Sequence, residues 1–136
     1  MNTHEIVHRV QYYETDAMGI VHHSNYIRWF ETARTEFLRR EGIPYSWLEE
    51  IKLMAPVLSV ECKYKYPAKY DDEVTIKMKL SEFNGIKFKC QYEVICGEKT
   101  LVTGTSAHVF TNENMRPINI SKNYKEVFEK MMSMLS

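Results

Sequence analysis

The sequence lacks a long apolar run and an apolar leader. No segment approaches the roughly 18 consecutive apolar residues that a membrane-spanning helix needs. Residues 1–10, MNTHEIVHRV, contain no apolar stretch of the kind found in a secretory signal. We therefore expect a protein without a membrane span, located in the cytoplasm.

An excess of charge of either sign is also missing. The 18 lysine and arginine residues balance 18 aspartate and glutamate residues, which gives a formal net charge of zero. This balance argues against a dedicated nucleic-acid-binding protein, because such proteins concentrate basic residues for phosphate contacts. It leaves room for a local basic patch that meets a phosphorylated small ligand, and near-zero charge permits self-association.

Cysteine is scarce, and its spacing is not that of metal ligands. All three cysteines fall on the apolar side of alternating segments, so we expect reduced thiols in the core: Cys62, Cys90 and Cys96. The chain also lacks repeats, low-complexity segments and a Pro/Gly-rich linker. Its 136 residues are too few for two ordinary domains, so we expect one domain over residues 1–136.

Helical periodicity is concentrated in residues 25–41, where apolar side chains recur at intervals of three and four residues. Ser24 or Asn25 can cap the start of this helix, and Gly42 can end it. Trp29 lies off the main apolar stripe, so the helix could be wrapped by a curved sheet and also touch a second subunit. Two shorter helices are predicted, at residues 46–51 and residues 121–135.

Strand-like alternation replaces the helical period in the second half of the chain. Apolar and polar residues alternate through 58–66, 74–81 and 86–94, which predicts strands with one buried face. Residues 100–111 are rich in β-branched side chains, and residues 6–12 form a further predicted strand. One long helix against an antiparallel sheet of about five strands is an α+β fold.

The turn at Asn84-Gly85 allows a prediction of register. Residues that pair in an antiparallel hairpin share a face, and the apolar residues on both flanking strands are even-numbered. A two-residue loop would pair apolar with polar residues, whereas a three-residue loop over 83–85, with Gly85 left-handed in a bulge, restores the phase. The predicted pairs are Leu80 with Phe88, Met78 with Cys90, and Lys79 with Lys89.

Residues 12–26, YYETDAMGIVHHSNY, combine a carboxylate with the start of the long helix. Asp16 lies in a loop, and His22 and His23 stand where the helix begins. A helix start offers unpaired N–H groups and a partial positive charge, so this arrangement suits chemistry in which an oxygen gains negative charge. An aspartate in a loop is, however, more often a turn residue. Adjacent histidines rarely converge on one ion, so no metal site is expected.

The same region carries a family resemblance. The positions of the pattern are occupied by Tyr13, Glu14, Asp16, Gly19, Val21, His23, Tyr26, Trp29, Phe30, Ala33, Arg34 and Gly42, followed later by Tyr64-Lys65-Tyr66-Pro67-Ala68 and Asp71-Asp72. This pattern resembles the hot-dog fold, and more specifically the 4-hydroxybenzoyl-CoA thioesterase family with its YbgC-type acyl-CoA thioesterases. The resemblance implies a single hot-dog thioesterase domain, with an antiparallel sheet around a long central helix. Glu14 and His22 depart from the family pattern, which often has aspartate and an aromatic residue there.

The resemblance implies an enzyme that hydrolyses the thioester of an acyl- or aroyl-CoA. Asp16 would be the catalytic carboxylate, either as nucleophile or as general base for a water. Backbone N–H groups near His23 would bind the oxyanion, and the His23 side chain would orient Asp16, a water or the thioester. No cofactor or metal is expected, because a thiolate leaves readily and coenzyme A is part of the substrate.

The resemblance also suggests substrate-binding residues. Gly19 would let the loop turn close to the substrate, and His22 and Tyr26 would lie near it, although Tyr26 could equally pack in the core. Arg34 could form a salt bridge at a dimer contact. The lysines on the polar strand faces either form a solvated exterior or meet the phosphates of coenzyme A: Lys63, Lys65, Lys77, Lys79, Lys87 and Lys89.

Several alternatives stay open. The family implies a homodimer or a homotetramer with the active site between subunits. A thioesterase for acyl-carrier protein would use a lysine surface for the carrier's acidic helix. A non-catalytic acyl-CoA-binding module is disfavoured by Asp16, and a hot-dog hydratase by the missing G-H-F-P segment. Acyl-chain preference cannot be inferred from these residues.

Overall fold

A five-stranded antiparallel sheet and one long helix dominate the computed structural model, which describes residues 3–136. The elements are β1 (Thr3–Arg9), a 3-10 turn (Tyr12–Glu14), α1 (Ser24–Arg40), α2 (Tyr45–Glu50), β2 (Val57–Tyr64), β3 (Glu73–Phe83), β4 (Lys87–Cys96), β5 (Lys99–Val109) and α3 (Lys125–Met134). The order of the strands in the sheet is β1-β3-β4-β5-β2, with every neighbouring pair antiparallel. This architecture confirms the predicted α+β class with about five strands.

Helix α1 supplies the centre of the core. Its buried apolar residues are Tyr26, Trp29, Phe30, Ala33, Phe37 and Leu38. Each large side chain buried in this way stabilises the fold by about 1.5–3 kcal/mol relative to an exposed position. The Phe30 ring stacks on Tyr92 of β4 with ring centroids 4.3 Å apart, which fixes the helix against the middle of the sheet. Gly104 of β5 makes this approach possible, because a Cβ there would collide with the Phe30 ring.

The β3–β4 register differs from the prediction by two residues. Leu80 pairs with Cys90, and Met78 pairs with Tyr92, so the predicted pairs with Phe88 and Cys90 are wrong. Lys79 lies opposite Gln91, not Lys89. The phase argument was right, since even-numbered apolar residues still face each other.

A bulge and a longer loop account for this shift. The register changes between Leu80 and Glu82, and Phe83 with Phe88 forms the last pair. Asn84 then closes the loop, since its Oδ1 accepts hydrogen bonds from the backbone N–H groups of Ile86 at 2.9 Å and Lys87 at 2.7 Å. Gly85 has the predicted left-handed conformation, with φ of +91°.

Element boundaries also need correction at the N-terminal side. Strand β1 ends at Arg9 instead of Tyr12, because residues 12–14 turn into a 3-10 helix. The predicted range of 25–41 for α1 is one residue late at each end. None of the helices within residues 3–136 has the length and apolar content that a membrane crossing requires.

Strand β2 lacks the buried face that its alternation predicted. It lies at the edge of the sheet, where most of its residues are exposed, and only Cys62 is half-buried. Cys90 is buried as a free thiol, as expected, whereas Cys96 is half-buried.

Arg34, for which a salt bridge at a dimer contact was one expectation, lies buried within the protomer. Its guanidinium donates hydrogen bonds to the hydroxyls of Tyr45 at 3.2 Å and Tyr92 at 3.0 Å. The Tyr92 hydroxyl lies 2.6 Å from Ser106 Oγ, which lies 2.7 Å from Nε2 of His108. A chain of polar groups therefore runs through the core between α1 and β5.

Candidate active site

Asp16 lies at the base of a tight turn. Its backbone N–H donates to the Ile20 carbonyl at 2.8 Å, and its carbonyl accepts from Gly19 N–H at 3.0 Å. Its carboxylate Oδ1 accepts from the backbone N–H of Met18 at 2.8 Å. Gly19 has φ of +79°, a left-handed conformation that glycine adopts without strain. The other carboxylate oxygen of Asp16 has no hydrogen-bond partner within residues 3–136.

The start of α1 provides an unused hydrogen-bond donor. His22 N–H donates to the Glu14 carbonyl at 2.8 Å, and Ser24 N–H donates to Nδ1 of His22 at 3.2 Å. The backbone N–H of His23, between them, donates to no acceptor within residues 3–136. Helix α1 begins at Ser24, so this N–H lies at the positive end of a 17-residue helix. Such a group is suited to an oxyanion.

A cavity of about 260 Å³ brings these groups together. Asp16 and His23 line it with Tyr26 and Tyr64; its other lining residues are Met18, Ile20, Val21, Lys65, Tyr66 and Pro67. The cavity therefore joins the Asp16 turn, the start of α1 and the end of β2.

Two tyrosines form one wall of the cavity. The Tyr26 hydroxyl accepts from Ala68 N–H at 3.0 Å, and the Tyr64 hydroxyl donates to the His23 carbonyl at 3.1 Å. Burial raises the pKa of Tyr26, and it raises the pKa of Tyr64 to about 12, so both phenols are neutral at pH 7. They offer polar hydroxyls and aromatic faces without adding charge near Asp16.

The structure places the five residues predicted for the site in two groups. Asp16, His23 and Tyr26 line the cavity. Gly19 lies in the turn, and His22 stacks on His23 while its Nδ1 lies 2.8 Å from Ser24 Oγ. The catalytic and substrate-binding roles of all five stay predictions.

Two further residues belong to this region that sequence reasoning did not assign to it. Tyr64 belongs to the later segment of the family resemblance, which was the available signal, but no site role was predicted for it. Glu14 stands in the family pattern at a position where aspartate is common, and no site role was predicted for it either. Glu14 is 5 % exposed, and its carboxylate accepts hydrogen bonds from three donors.

The six lysines predicted on the polar faces of the strands lie in different surroundings. Lys65 lines the cavity with Asp16. Lys77 lies 3.7 Å from Glu5 across strands, and Lys89 lies 3.7 Å from Glu82, which are exposed ion pairs of small stabilising value. No cluster of three or more histidine, cysteine, aspartate or glutamate residues suited to a metal ion occurs within residues 3–136.

Comparison with known proteins identifies the family. The thioesterase-like superfamily matches residues 10–129. This chain belongs to that family. The resemblance found in residues 12–42 is thereby confirmed, and the matching solved structures confirm the hot-dog fold.

Three similar proteins illustrate the range within the family. A crystal structure from Aquifex aeolicus is 39 % identical with a TM-score of 0.88, covering 94 % of this chain and 98 % of that one. Acyl-CoA thioesterase YbgC of Haemophilus influenzae is 30 % identical over 90 % of this chain and 92 % of its own length. A DHNA-CoA thioesterase structure from Staphylococcus aureus is 25 % identical with a TM-score of 0.91, covering 98 % of this chain and 91 % of that one.

Proposed function

We propose that this protein is an acyl-CoA thioesterase that hydrolyses an acyl- or aroyl-CoA to the free acid and coenzyme A. The observation that carries the proposal is the cavity shared by the Asp16 carboxylate and the start of α1. The family contains relatives named for acyl-CoA and for DHNA-CoA, so aliphatic and aromatic acyl groups are both compatible with it.

The reaction needs a nucleophile and a donor for the developing oxyanion. In the general-base route, Asp16 removes a proton from water as the water oxygen attacks the thioester carbonyl. The oxyanion accepts a hydrogen bond from His23 N–H, a contact of a kind worth about 3 kcal/mol in the transition state. Collapse of the intermediate breaks the C–S bond, and the thiolate leaves.

In the nucleophilic route, an Asp16 oxygen attacks the carbonyl directly. The thiolate leaves, and the mixed anhydride that forms is then hydrolysed by water. A single turnover in ¹⁸O-labelled water tests for this route. Water attack at the Asp16 carbonyl leaves the first acid product unlabelled, which would identify Asp16 as the nucleophile. The general-base route puts one ¹⁸O atom into the acid, as does water attack at the acyl carbonyl of the anhydride.

The other residues predicted for the site would orient the reacting groups or contact the substrate in this reaction. The His23 side chain would orient Asp16, the water or the thioester, and Tyr26 would contact the acyl group within the cavity. Gly19 and His22 would shape its border from the turn and from the start of α1. Coenzyme A belongs to the substrate, so the reaction needs no cofactor or metal, and dialysis against a chelator should leave kcat unchanged.

Thiol release from a panel of acyl-CoAs tests the proposal. Asp16→Asn should lower kcat by about 100-fold or more, as expected for loss of a general base or nucleophile. Glu126→Gln, which removes one exposed negative charge from α3, is the matched control and should retain activity. Equal activity of wild type and Asp16→Asn would exclude Asp16 as the catalytic group.

Failure of the wild type on every acyl-CoA would favour one of two alternatives. Hydrolysis of acyl-carrier-protein thioesters would identify a carrier-protein thioesterase. Acyl-CoA binding without turnover would identify a non-catalytic binding module.

We also propose a homodimer or homotetramer with the active site between subunits. Strand β2 is a sheet edge, and it exposes Val57, Leu58 and Val60 by 48 %, 53 % and 38 % of their surface. An exposed apolar edge strand favours pairing with another chain. Tyr64 at the end of β2 lines the cavity, so a subunit paired there would border the site.

The proposal also includes a single domain and a cytoplasmic location, as expected from the sequence. A core cluster reaches from Val10 to Met134, which supports one domain over residues 1–136. The balanced charge of the chain supports a protein with no nucleic-acid partner, and a cytoplasmic location stays an expectation.

A further inference from the structure

Glu14 is a buried carboxylate with a hydrogen-bond partner at each of its two oxygens. Its Oε1 lies 2.7 Å from the backbone N–H of Gln11 and 2.8 Å from Nε2 of His8. Its Oε2 accepts from Nε1–H of Trp29 at 2.8 Å. Burial raises the pKa of Glu14, but these hydrogen bonds outweigh it and bring the pKa below its usual range. The group is therefore a buried anion held by three donors from three segments of the chain.

The backbone of the same residue holds the start of α1. The Glu14 carbonyl accepts from His22 N–H and from Nδ2 of Asn25, both at 2.8 Å. Asn25 is 8 % exposed, so its amide is committed to this contact. Glu14 thus connects β1, the first residues of the Asp16 segment and the first two turns of α1.

Asp16 makes few contacts of its own beyond its turn. Its recorded hydrogen bonds are to Met18, Gly19 and Ile20, all within the turn. The bridges at the base of the turn are Thr15 with Val21 and Ile20 with Lys69. The distance between the Asp16 carboxylate and the His23 N–H therefore depends on how the turn is attached to the rest of the fold. Glu14 supplies the attachment to β1 and α1, beside the hydrogen bond from Val21 N–H to the Ala68 carbonyl at 2.9 Å.

We propose that Glu14 is a positioning residue. Its carboxylate, hydrogen-bonded to the Trp29 indole, fixes the position of the Asp16 carboxylate relative to the N–H groups at the start of α1. The inference rests on the proposed role of Asp16. A misplacement of about 1 Å between reacting groups can cost about 100-fold in rate, so a loosened attachment reduces kcat without removing a reacting group.

Glu14→Gln is the sharpest test because it keeps the shape of the side chain. A glutamine amide has one acceptor oxygen and one NH₂ donor, so in either orientation the NH₂ group faces Trp29 Nε1–H or the donors at Oε1. Trp29→Phe is the second variant. It removes the indole N–H but keeps an aromatic ring beside Tyr26, whose ring lies 4.9 Å from that of Trp29.

A stability control separates positioning from simple destabilisation. Val127→Ala in α3 removes buried methyl groups at a fully buried position that is not part of the cavity lining. We expect Glu14→Gln and Trp29→Phe to lower kcat by about 10- to 100-fold with KM little changed. Val127→Ala should lower the midpoint of thermal unfolding and leave kcat unchanged.

Two further measurements make the outcome decisive. The effect of Glu14→Gln should disappear in an Asp16→Asn background, because a group that acts through Asp16 cannot act without it. In ¹H–¹⁵N spectra, Glu14→Gln should shift the amide resonances of Met18, Gly19 and His23, whereas Val127→Ala should not.

Either of two results would overturn the inference: unchanged kcat in both Glu14→Gln and Trp29→Phe, or unmoved amide resonances around the Asp16 turn. The spectra do not require activity. A wild type without thioesterase activity, or an active Asp16→Asn enzyme, would therefore refute the proposed function separately from this inference.

Discussion

His108 should make the protein sensitive to mild acid. The side chain is fully buried, and its Nε2 lies 2.7 Å from Ser106 Oγ at the end of the polar chain that begins at Arg34. Burial, followed by the nearby positive charge of Arg34, lowers the pKa of His108 from 6.5 to about 4. The native protein therefore holds this imidazole neutral where an exposed histidine would be charged.

The sign and size of the effect follow from proton linkage. Between about pH 6.5 and pH 4 the unfolded chain binds a proton at His108 that the native protein excludes, so the free energy of unfolding falls as pH falls. The loss is absent above pH 6.5, reaches about 2 kcal/mol near pH 5 and approaches about 3 kcal/mol at pH 4. That is a large fraction of the stability of a small domain.

Urea unfolding at several pH values between 7 and 4.5 measures this loss. His108→Gln is the informative variant, because its amide nitrogen can take the place of Nε2 beside Ser106 while the side chain no longer titrates. The other four histidines are common to both proteins, so the difference between the two pH profiles isolates His108. Parallel profiles for wild type and His108→Gln would refute the reasoning.

Two further substitutions test the packing and the assembly. Gly104→Ala should lower the free energy of unfolding in urea by at least about 1–3 kcal/mol. The added Cβ would overlap the Phe30 ring and lie 2.8 Å from the Glu61 carbonyl oxygen. Unchanged stability would contradict this close approach. Val60→Asp on the β2 edge should lower the molecular mass measured by sedimentation towards that of the monomer. The control, Val7→Asp on β1 at the opposite edge, should leave this mass unchanged. Equal masses for the two variants would contradict pairing through β2.

The period of apolar residues was sufficient to predict the elements but not their exact pairing. Parity restricted the β3–β4 hairpin to pairs with even sums, and both the predicted register and the observed pairs up to Leu80 with Cys90 satisfy it, whereas the two pairs beyond the bulge have odd sums. The choice between them depends on the Phe83–Phe88 pair and the bulge after Leu80. The bulge adds a residue to one strand without a distinctive residue type at that position, so local sequence could not decide the register.

Strand β2 shows a second limit of pattern reasoning. Its alternation of apolar and polar residues is as regular as that of β3, yet β3 buries one face and β2 does not. Alternation predicts that one face of the strand is buried, but it does not indicate whether the same chain or a second chain covers that face. At an edge strand, a regular pattern without burial in the protomer is itself an argument for a second copy.

The candidate site also has one part that the sequence could predict and one part that it could not. Asp16 and the start of α1 could be predicted because they are adjacent in sequence and match a family pattern. The Glu14–Trp29 contact spans 15 residues, and glutamate is rarely buried, so neither spacing nor residue type indicated this contact. The available signal was Trp29 itself, an aromatic residue off the apolar stripe of α1. A buried indole N–H needs an acceptor, and in the structure the carboxylate of Glu14, two positions before the predicted catalytic aspartate, accepts its hydrogen bond at 2.8 Å.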